Sequence, residues 1–129
     1  MRVLIIGGTI FLGRHLCNSL LSSGHTVTMF NRGRQPYKPP EEVEIILGDR
    51  DADLSLLAGR SWDVAIDTCG YYPAQVSESA KALSGKAATY VFISSINQYL
   101  DFTIPDVDEN YSPRKVGWIR TSVLNESNY

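Results

Sequence analysis

The sequence has little of what a disulfide framework, a metal centre or a membrane helix requires. Its 129 residues include only two cysteines and two histidines. Cys17 and Cys69 lie far apart without CxxC spacing, so we expect unpaired, buried thiols. His15 and His25 lack the spacing of metal ligands, and we expect no metal site. No apolar run approaches the roughly 18 residues of a membrane helix, which argues against a membrane-spanning protein.

A surplus of basic residues is also missing. The chain carries 12 Lys and Arg against 14 Asp and Glu, for a net charge of −2. Proteins that bind nucleic acids usually show a basic surplus, so this balance argues against a nucleic-acid partner. The first apolar run, residues 3–6, is too short for the core of a signal peptide and has no export cleavage site after it. We therefore expect a cytoplasmic protein without a membrane partner.

The composition that remains is that of one globular α/β domain. A length of 129 residues corresponds to about one domain, and 43% apolar with 20% charged residues is typical of a folded chain. Short apolar runs bounded by glycine, proline and polar residues predict five strands. These strands are expected at residues 3–6, 26–30, 42–47, 63–67 and 89–93.

Helices are predicted between several of these strands. Leucines recur at helical spacing between Thr9, which can cap their helix, and Gly24, which ends it. A short helix is expected near residues 53–58, and Pro73 suits the first turn of another. Strands separated by helices or crossover loops predict a Rossmann-like, doubly wound parallel sheet with the strand order 3-2-1-4-5.

A glycine-rich stretch, residues 7–13, joins the first predicted strand to the first helix, which is the context that a dinucleotide-binding fingerprint requires. Gly7 allows the tight turn, Gly13 lets the helix pack on the strand, and the helix N-terminus attracts a pyrophosphate. Ile10 stands where a middle glycine is usual, so a turn that binds no nucleotide is the alternative. The predicted cofactor contacts are Gly7, Gly8, Thr9, Phe11, Leu12 and Gly13.

Polar residues after the second and third strands extend this predicted site. Asn31 and Arg32 stand where an acidic residue would bind the adenosine ribose and select NAD. An arginine there can pair with a 2′-phosphate, so the sequence favours NADP over NAD, with solvated loop charges as the alternative. Asp49 can accept a hydrogen bond from the adenine amino group, or it caps the following helix instead. Arg50 beside it completes the predicted cofactor-binding set.

The fifth predicted strand ends in hydroxyl-bearing residues, which either face the cofactor crevice or cap the strand. Together with the glycine stretch, they complete a series of motifs that resembles the extended or atypical short-chain dehydrogenase/reductase family, broadly the NAD-dependent epimerases and dehydratases. The resemblance covers residues 2–110, and Ile10 matches the atypical branch, which includes relatives of chloroplast stem-loop RNA-binding proteins. The matching motifs are residues 7–13, Asn31-Arg32-Gly33, Gly48-Asp49, residues 67–70, and Ser94-Ser95 with Tyr99.

The resemblance implies a Ser/Tyr/Lys mechanism, in which tyrosine is the general acid/base, lysine lowers its pKa, serine orients the substrate and nicotinamide carries the hydride. Ser95 matches the family serine. Tyr111 begins a Tyr-x-x-x-Lys match, but Pro113 within it disfavours the helix that this pair requires. Tyr129, the last residue, is the better candidate for the tyrosine, and the chain then stops before its lysine.

This resemblance implies an NAD(P)-binding Rossmann domain at residues 1–110 and an irregular or helical segment at residues 111–129, with no substrate domain. The expected function is that of the N-terminal part of an epimerase/dehydratase-like oxidoreductase for a nucleotide-sugar-like substrate, inactive by itself. The alternatives are a non-catalytic dinucleotide-binding sensor and an RNA-associated protein. An exposed edge at the fifth strand favours pairing, so we expect a homodimer.

Overall fold

A computed structural model describes residues 1–95 together with residues 105, 106, 108 and 110. Its strands form one parallel sheet in the order β3-β2-β1-β4-β5. The predicted Rossmann-like, doubly wound sheet with strand order 3-2-1-4-5 is therefore confirmed. The elements are β1 (Arg2–Ile6), α1 (Phe11–Ser22), β2 (Thr26–Asn31), β3 (Glu44–Leu47), a 3₁₀ helix (Leu54–Leu57), β4 (Trp62–Asp67), α2 (Pro73–Leu83) and β5 (Ala87–Phe92).

The core lies on both faces of the sheet, because successive residues of a strand point to opposite sides. Four consecutive residues of β1 are buried. Two of them, Val3 and Ile5, belong to one apolar cluster, whereas Leu4 and Ile6 belong to the other. The first cluster includes Cys17 from α1, and the second includes Leu83 from α2. A strand that is covered on both sides must be apolar throughout, which explains the continuous run in the sequence.

The start of α1 differs from the prediction. The N-cap residue is Ile10 in an extended conformation, and within residues 1–95 no side chain caps the helix. The prediction that Thr9 caps α1 is wrong, because the glycine turn delays the helix by one residue. Gly24 does end the helix as predicted, with φ of +75° and its N–H donating to the Leu21 carbonyl.

Backbone hydrogen bonds continue past the strands at the carboxyl edge of the sheet. The N–H of Gly7 donates to Phe30 (2.9 Å), and the N–H of Gly48 donates to Asn31 (3.0 Å). The N–H of Thr68 donates to the carbonyl of Ile6 at 3.0 Å. The turns that follow β1, β3 and β4 are thereby attached to neighbouring strands at one edge.

The chain divides at Ile93 into two compact units, and all five strands lie in the first. The second unit begins at Ser94, and within it the N–H of Asn110 donates to Asp108 at 2.9 Å. The predicted segment 111–129 lies outside the described residues, so its boundary at residue 110 stays a prediction. In the described part of the chain, no helix is long and apolar enough to cross a membrane.

Candidate functional site

The glycine turn after β1 has a backbone that only glycine accommodates easily. Gly7 and Gly8 have φ values of +91° and +82°, in the left-handed region where a Cβ is strained. At position 13 glycine is needed for lack of space, because a Cβ there would lie 2.3 Å from the Cα of Gly8. The first turn of α1 therefore packs directly on the backbone of the glycine turn at Gly8, whereas the sequence predicted packing of Gly13 on the strand.

The N-terminus of α1 is open to a ligand. Since no side chain among the described residues caps it, its first N–H groups keep their donor capacity and the partial positive charge of a helix start. The first turn contains no acidic residue that would repel an anion. Ile10 and Phe11 are 61% and 76% exposed, and Leu12 is 46% exposed, so apolar surface adjoins these N–H groups.

Thr68, which belongs to the motif at residues 67–70 but was given no role of its own from the sequence, joins the glycine turn to the end of β4. Its Oγ1 accepts a hydrogen bond from the N–H of Gly8 at 3.2 Å and donates to the carbonyl of Ile6 at 2.9 Å. A Cβ on Gly7 would lie 2.8 Å from the same oxygen. The polar residue at the end of β4 was visible in the sequence, but its partner lies 60 positions earlier.

The predicted residues after β2 and β3 come together. Asn31 Oδ1 accepts the N–H of Gly33 at 2.9 Å, which bends the chain away from β2. One guanidinium nitrogen of Arg32 lies 4.0 Å from Asp49 Oδ2, and their side chains are 55% and 32% exposed. A cation and a carboxylate therefore face solvent side by side at the carboxyl edge of the sheet.

Asp49 bonds within its own turn. Its Oδ1 accepts the N–H of Asp51 at 3.1 Å, and its own N–H donates to Asp53 Oδ2 at 2.7 Å. The 3₁₀ helix that follows has Asp53 as its N-cap, without a side-chain capping bond. The described contacts therefore assign Asp49 to the turn and do not show it capping that helix.

Arg50 lies in a buried network. Its two terminal nitrogens donate to Asp67 Oδ1 and Oδ2 at 2.8 and 2.7 Å, and their side chains are 8% and 0% exposed. One of these nitrogens also donates to Ser79 Oγ at 2.8 Å, while Nε is buried without a partner in the described residues. Tyr90 donates its hydroxyl to Asp67 Oδ2 at 2.6 Å. Neither Asp67 nor Ser79 was singled out from the sequence as an arginine partner.

Burial and the nearby charges together shift the pKa values of the groups around Asp67. Burial would lower the pKa of Arg50, but hydrogen bonds and the charge of Asp67 raise it above its usual value, so Arg50 stays charged. The pKa of Tyr90 is raised by burial and then by its bond to Asp67. Burial also raises the pKa of Cys69, whose sulfur lies 3.5 Å from Arg50, so this thiol stays protonated near neutral pH.

A cavity of about 320 Å³ opens beside the ends of β2 and β3. The guanidinium of Arg14 lies 4.7 Å from the centre of the Tyr37 ring, and Arg14 Nε donates to the carbonyl of Thr9 at 2.8 Å. This contact connects α1 to the proline-containing loop that borders the cavity. The residues that line the cavity include Thr9, Asn31, Gly33, Gln35, Tyr37 and Lys38.

The two predicted catalytic residues, Ser95 and Tyr129, stay predictions. Ser95 is exposed and belongs to the second compact unit. Tyr129 and the alternative Tyr111 both lie outside the described residues. In the described part of the chain, no group of acidic, histidine or cysteine side chains could hold a metal ion.

Comparison with known proteins assigns the chain to a family. Residues 3–115 match the family described as the NAD dependent epimerase/dehydratase family. The chain belongs to this family. Among curated relatives, the chloroplast stem-loop binding protein of 41 kDa b from Arabidopsis thaliana is 33% identical over 126 residues. That match includes 84% of this chain and 33% of the relative, so the chain spans about a third of the relative's length.

Two solved structures share the fold. A UDP-galactose 4-epimerase structure superposes with a TM-score of 0.74 at 22% identity, covering 88% of this chain and 45% of the other. The structure of MoeE5 in complex with UDP-glucose and NAD superposes with a TM-score of 0.69 at 22% identity, covering 88% and 42%. At these identities the likeness establishes the fold, and this chain spans less than half of either protein.

Proposed function

We propose that this chain is the dinucleotide-binding part of an NAD(P)-dependent epimerase/dehydratase-like oxidoreductase. The observation that carries the proposal is the close contact of Gly13 with Gly8, which sets an uncapped helix N-terminus directly against the glycine turn. A dinucleotide pyrophosphate fits such an arrangement, because its oxygens can accept the unused N–H groups. The exposed Phe11 and Leu12 offer apolar contact beside them. When bound, the nicotinamide would supply hydride transfer.

Calorimetric titration of the 129-residue protein with NADP and NAD tests this proposal. We expect saturable binding that Gly13→Ala weakens, because the new Cβ must displace the turn. Gly59→Ala is the matched control, since nothing lies within 4 Å of the Cβ position at Gly59, whose φ is +73°. Absence of binding of either dinucleotide would contradict the proposal.

The finer proposal is a preference for NADP. β2 ends in Asn31 and is followed by Arg32, so the residue at the end of β2 is an amide and not a carboxylate that would bind the ribose hydroxyls and repel a 2′-phosphate. Asn31→Asp should therefore shift the ratio of affinities toward NAD. An unchanged ratio in this variant would count against the assigned position of the ribose.

For the parent reaction we propose reversible hydride transfer on a nucleotide-sugar-like substrate, with Ser95 and Tyr129 in the family's serine and tyrosine roles. The printed names of the structural neighbours, which include UDP-galactose 4-epimerase and a complex with UDP-glucose and NAD, support this substrate class. We expect the 129-residue chain to oxidise no NADPH above background. A non-catalytic dinucleotide sensor would give the same result. Measurable turnover would overturn that expectation.

RNA binding is the second candidate function. It is favoured by the chloroplast stem-loop binding relative, which is 33% identical over 84% of this chain. The net charge of −2 gives it no support. Titration of the protein with an RNA stem-loop, starting at low salt, tests this candidate. An affinity for RNA that falls steeply with added salt supports RNA binding, and no binding at low salt excludes it.

We also propose that the protein pairs with itself. Within the described sheet, β5 is an edge strand that pairs with β4 alone, and Val91 and Phe92 are 38% and 37% exposed. An edge with unpaired backbone groups and apolar side chains promotes association. Light scattering should give a dimer mass, and a monomer at working concentration would contradict the proposal.

A further inference from the structure

The turn that carries Asp49 is tied to α2 by two side chains that reach in opposite directions. From the turn, one nitrogen of Arg50 donates to the carbonyl oxygen of Gln75 at 3.0 Å and to Ser79 at 2.8 Å. From the helix, Gln75 Nε2 donates to both carboxylate oxygens of Asp51, each at 3.0 Å. Arg50 and Asp51, the two residues that follow Asp49, are thus held against one turn of α2.

Gln75 also holds the neighbouring turn. Its Oε1 accepts the backbone N–H groups of Tyr71 at 3.1 Å and Tyr72 at 3.4 Å. One amide side chain therefore connects the turns that follow β3 and β4. Both turns lie at the carboxyl edge of the sheet, where the dinucleotide is proposed to bind.

We propose that Arg50, Asp51 and Gln75 form a clasp that positions Asp49 for the amino group of an adenine ring. This proposal rests on the proposed dinucleotide binding. Arg50 acts through the turn without touching the cofactor, since its side chain is 8% exposed and its terminal nitrogens are engaged with Asp67, Ser79 and Gln75. The Asp49 side chain is 32% exposed, so a ligand can reach it.

The clasp gives Asp49 a defined place that a short turn does not hold by itself. The turn's own bonds, from Asp51 to Asp49 and from Asp49 to Asp53, move with the turn. Its attachments to the sheet are at Gly48, which donates to Asn31, and at Arg50, which pairs with Asp67. Arg50 and Gln75 attach it to α2. A carboxylate that shifts by about 1 Å loses most of a directional hydrogen bond, so loss of the clasp should remove recognition of the amino group selectively.

The experiment compares NAD with its hypoxanthine analogue, in which a carbonyl replaces the adenine amino group. Calorimetry on the full 129-residue chain gives the ratio of the two affinities. In the parent protein we expect NAD to bind about tenfold more tightly, because only NAD donates to Asp49. Gln75→Ala should bring this ratio close to one while the protein stays folded, since Gln75 is not part of the buried core.

Two further variants make the result specific. Arg50→Lys keeps the charge but loses the planar fork, and it should lower the ratio as Gln75→Ala does. Ser77→Ala is the control, because Ser77 is exposed on the same helix, and it should leave the ratio unchanged. Amide hydrogen exchange at residues 49–51 should accelerate in Gln75→Ala and not in Ser77→Ala.

The outcomes separate the two proposals. If the parent binds neither dinucleotide, dinucleotide binding itself fails and the clasp proposal fails with it. If the parent binds both equally, or if Gln75→Ala keeps the preference for NAD, the clasp proposal is overturned and dinucleotide binding stands. A loss of preference in Gln75→Ala and Arg50→Lys, with retention in Ser77→Ala, supports the clasp.

Discussion

Two arginine–carboxylate pairs lie at opposite edges of the same parallel sheet and differ chiefly in burial. At the carboxyl edge, Arg50 pairs with Asp67 at the end of β4, with side chains 8% and 0% exposed. At the amino edge, Arg60 pairs with Glu44 at the start of β3, with side chains 42% and 48% exposed. The same two chemical groups are therefore buried at the carboxyl edge and largely solvated at the amino edge.

The surroundings of the two carboxylates follow from this difference. Asp67 accepts hydrogen bonds from Arg50, from the Tyr90 hydroxyl and from the N–H of Cys69, so both of its buried oxygens are satisfied. Glu44 is bonded by Arg60 and by the Thr28 hydroxyl, and water can supply the rest. A buried carboxylate needs a complete set of donors, whereas an exposed one does not. We therefore expect burial, and not the pairing itself, to decide how much each pair contributes to the free energy of unfolding.

Asp67→Ala should have the largest effect on stability. It leaves the Arg50 guanidinium buried without its counter-charge, which costs about 3–5 kcal/mol in comparable cases. Urea denaturation followed by circular dichroism measures the loss. Glu44→Ala is the matched variant at the other edge, and equal losses in the two variants would refute the assigned importance of burial.

Gly13→Ala should have a smaller effect than Asp67→Ala, and it alters the backbone contact on which the carboxyl-edge site depends. A Cβ 2.3 Å from the Cα of Gly8 forces the helix and the turn apart, and such overpacking costs about 1–3 kcal/mol. Urea denaturation gives this loss, and titration with NADP gives the accompanying loss of affinity. Gly59→Ala should lose about 1 kcal/mol through its positive φ and keep its affinity. Retained affinity in Gly13→Ala would contradict the assigned contact.

Tyr90→Phe probes the same edge through pH. Removing the hydroxyl that donates to a buried carboxylate should cost about 1.5–3 kcal/mol at neutral pH. Because burial and Asp67 raise the pKa of Tyr90, its stabilisation is fully present below about pH 10, where the unfolded phenol ionises, and is lost as pH rises further. Melting temperatures across pH 8–11 should therefore converge between parent and variant. Parallel curves would contradict this role.

Arg60→Ala should have the smallest effect, because exposed ion pairs contribute about 0–1 kcal/mol. The Arg60 hydrogen bond lowers the pKa of Glu44, so the pair's stabilisation is present above about pH 4.5 and is lost as pH falls through the lowered value. Acid titration of the melting temperature should be slightly flatter in Arg60→Ala than in the parent. A loss at neutral pH as large as that of Asp67→Ala would show that exposure does not distinguish the two pairs.

The elements that could be predicted were those with local signals. The predicted strand at residues 3–6, which lies within β1, is a continuous apolar run, and the glycine turn after it follows from residues adjacent in sequence. The roles of Arg50 and Thr68 could not be predicted in this way. Arg50 meets Asp67 and Ser79 across 17 and 29 positions, and Thr68 meets Gly8 across 60. Nothing in the neighbouring residues indicates such partners.

The sequence by itself determined the order of strands and helices, the glycine turn and the family, because apolar periodicity, glycine placement and short motifs act over a few adjacent residues. Only the tertiary structure decided which charged residues are buried. Asp49 and Arg50 are neighbours in the chain, yet one faces solvent and the other lies beneath the turn. That difference arises because parallel strands bring the ends of β3, β4 and α2 together, and desolvation acts on the group that the packing encloses.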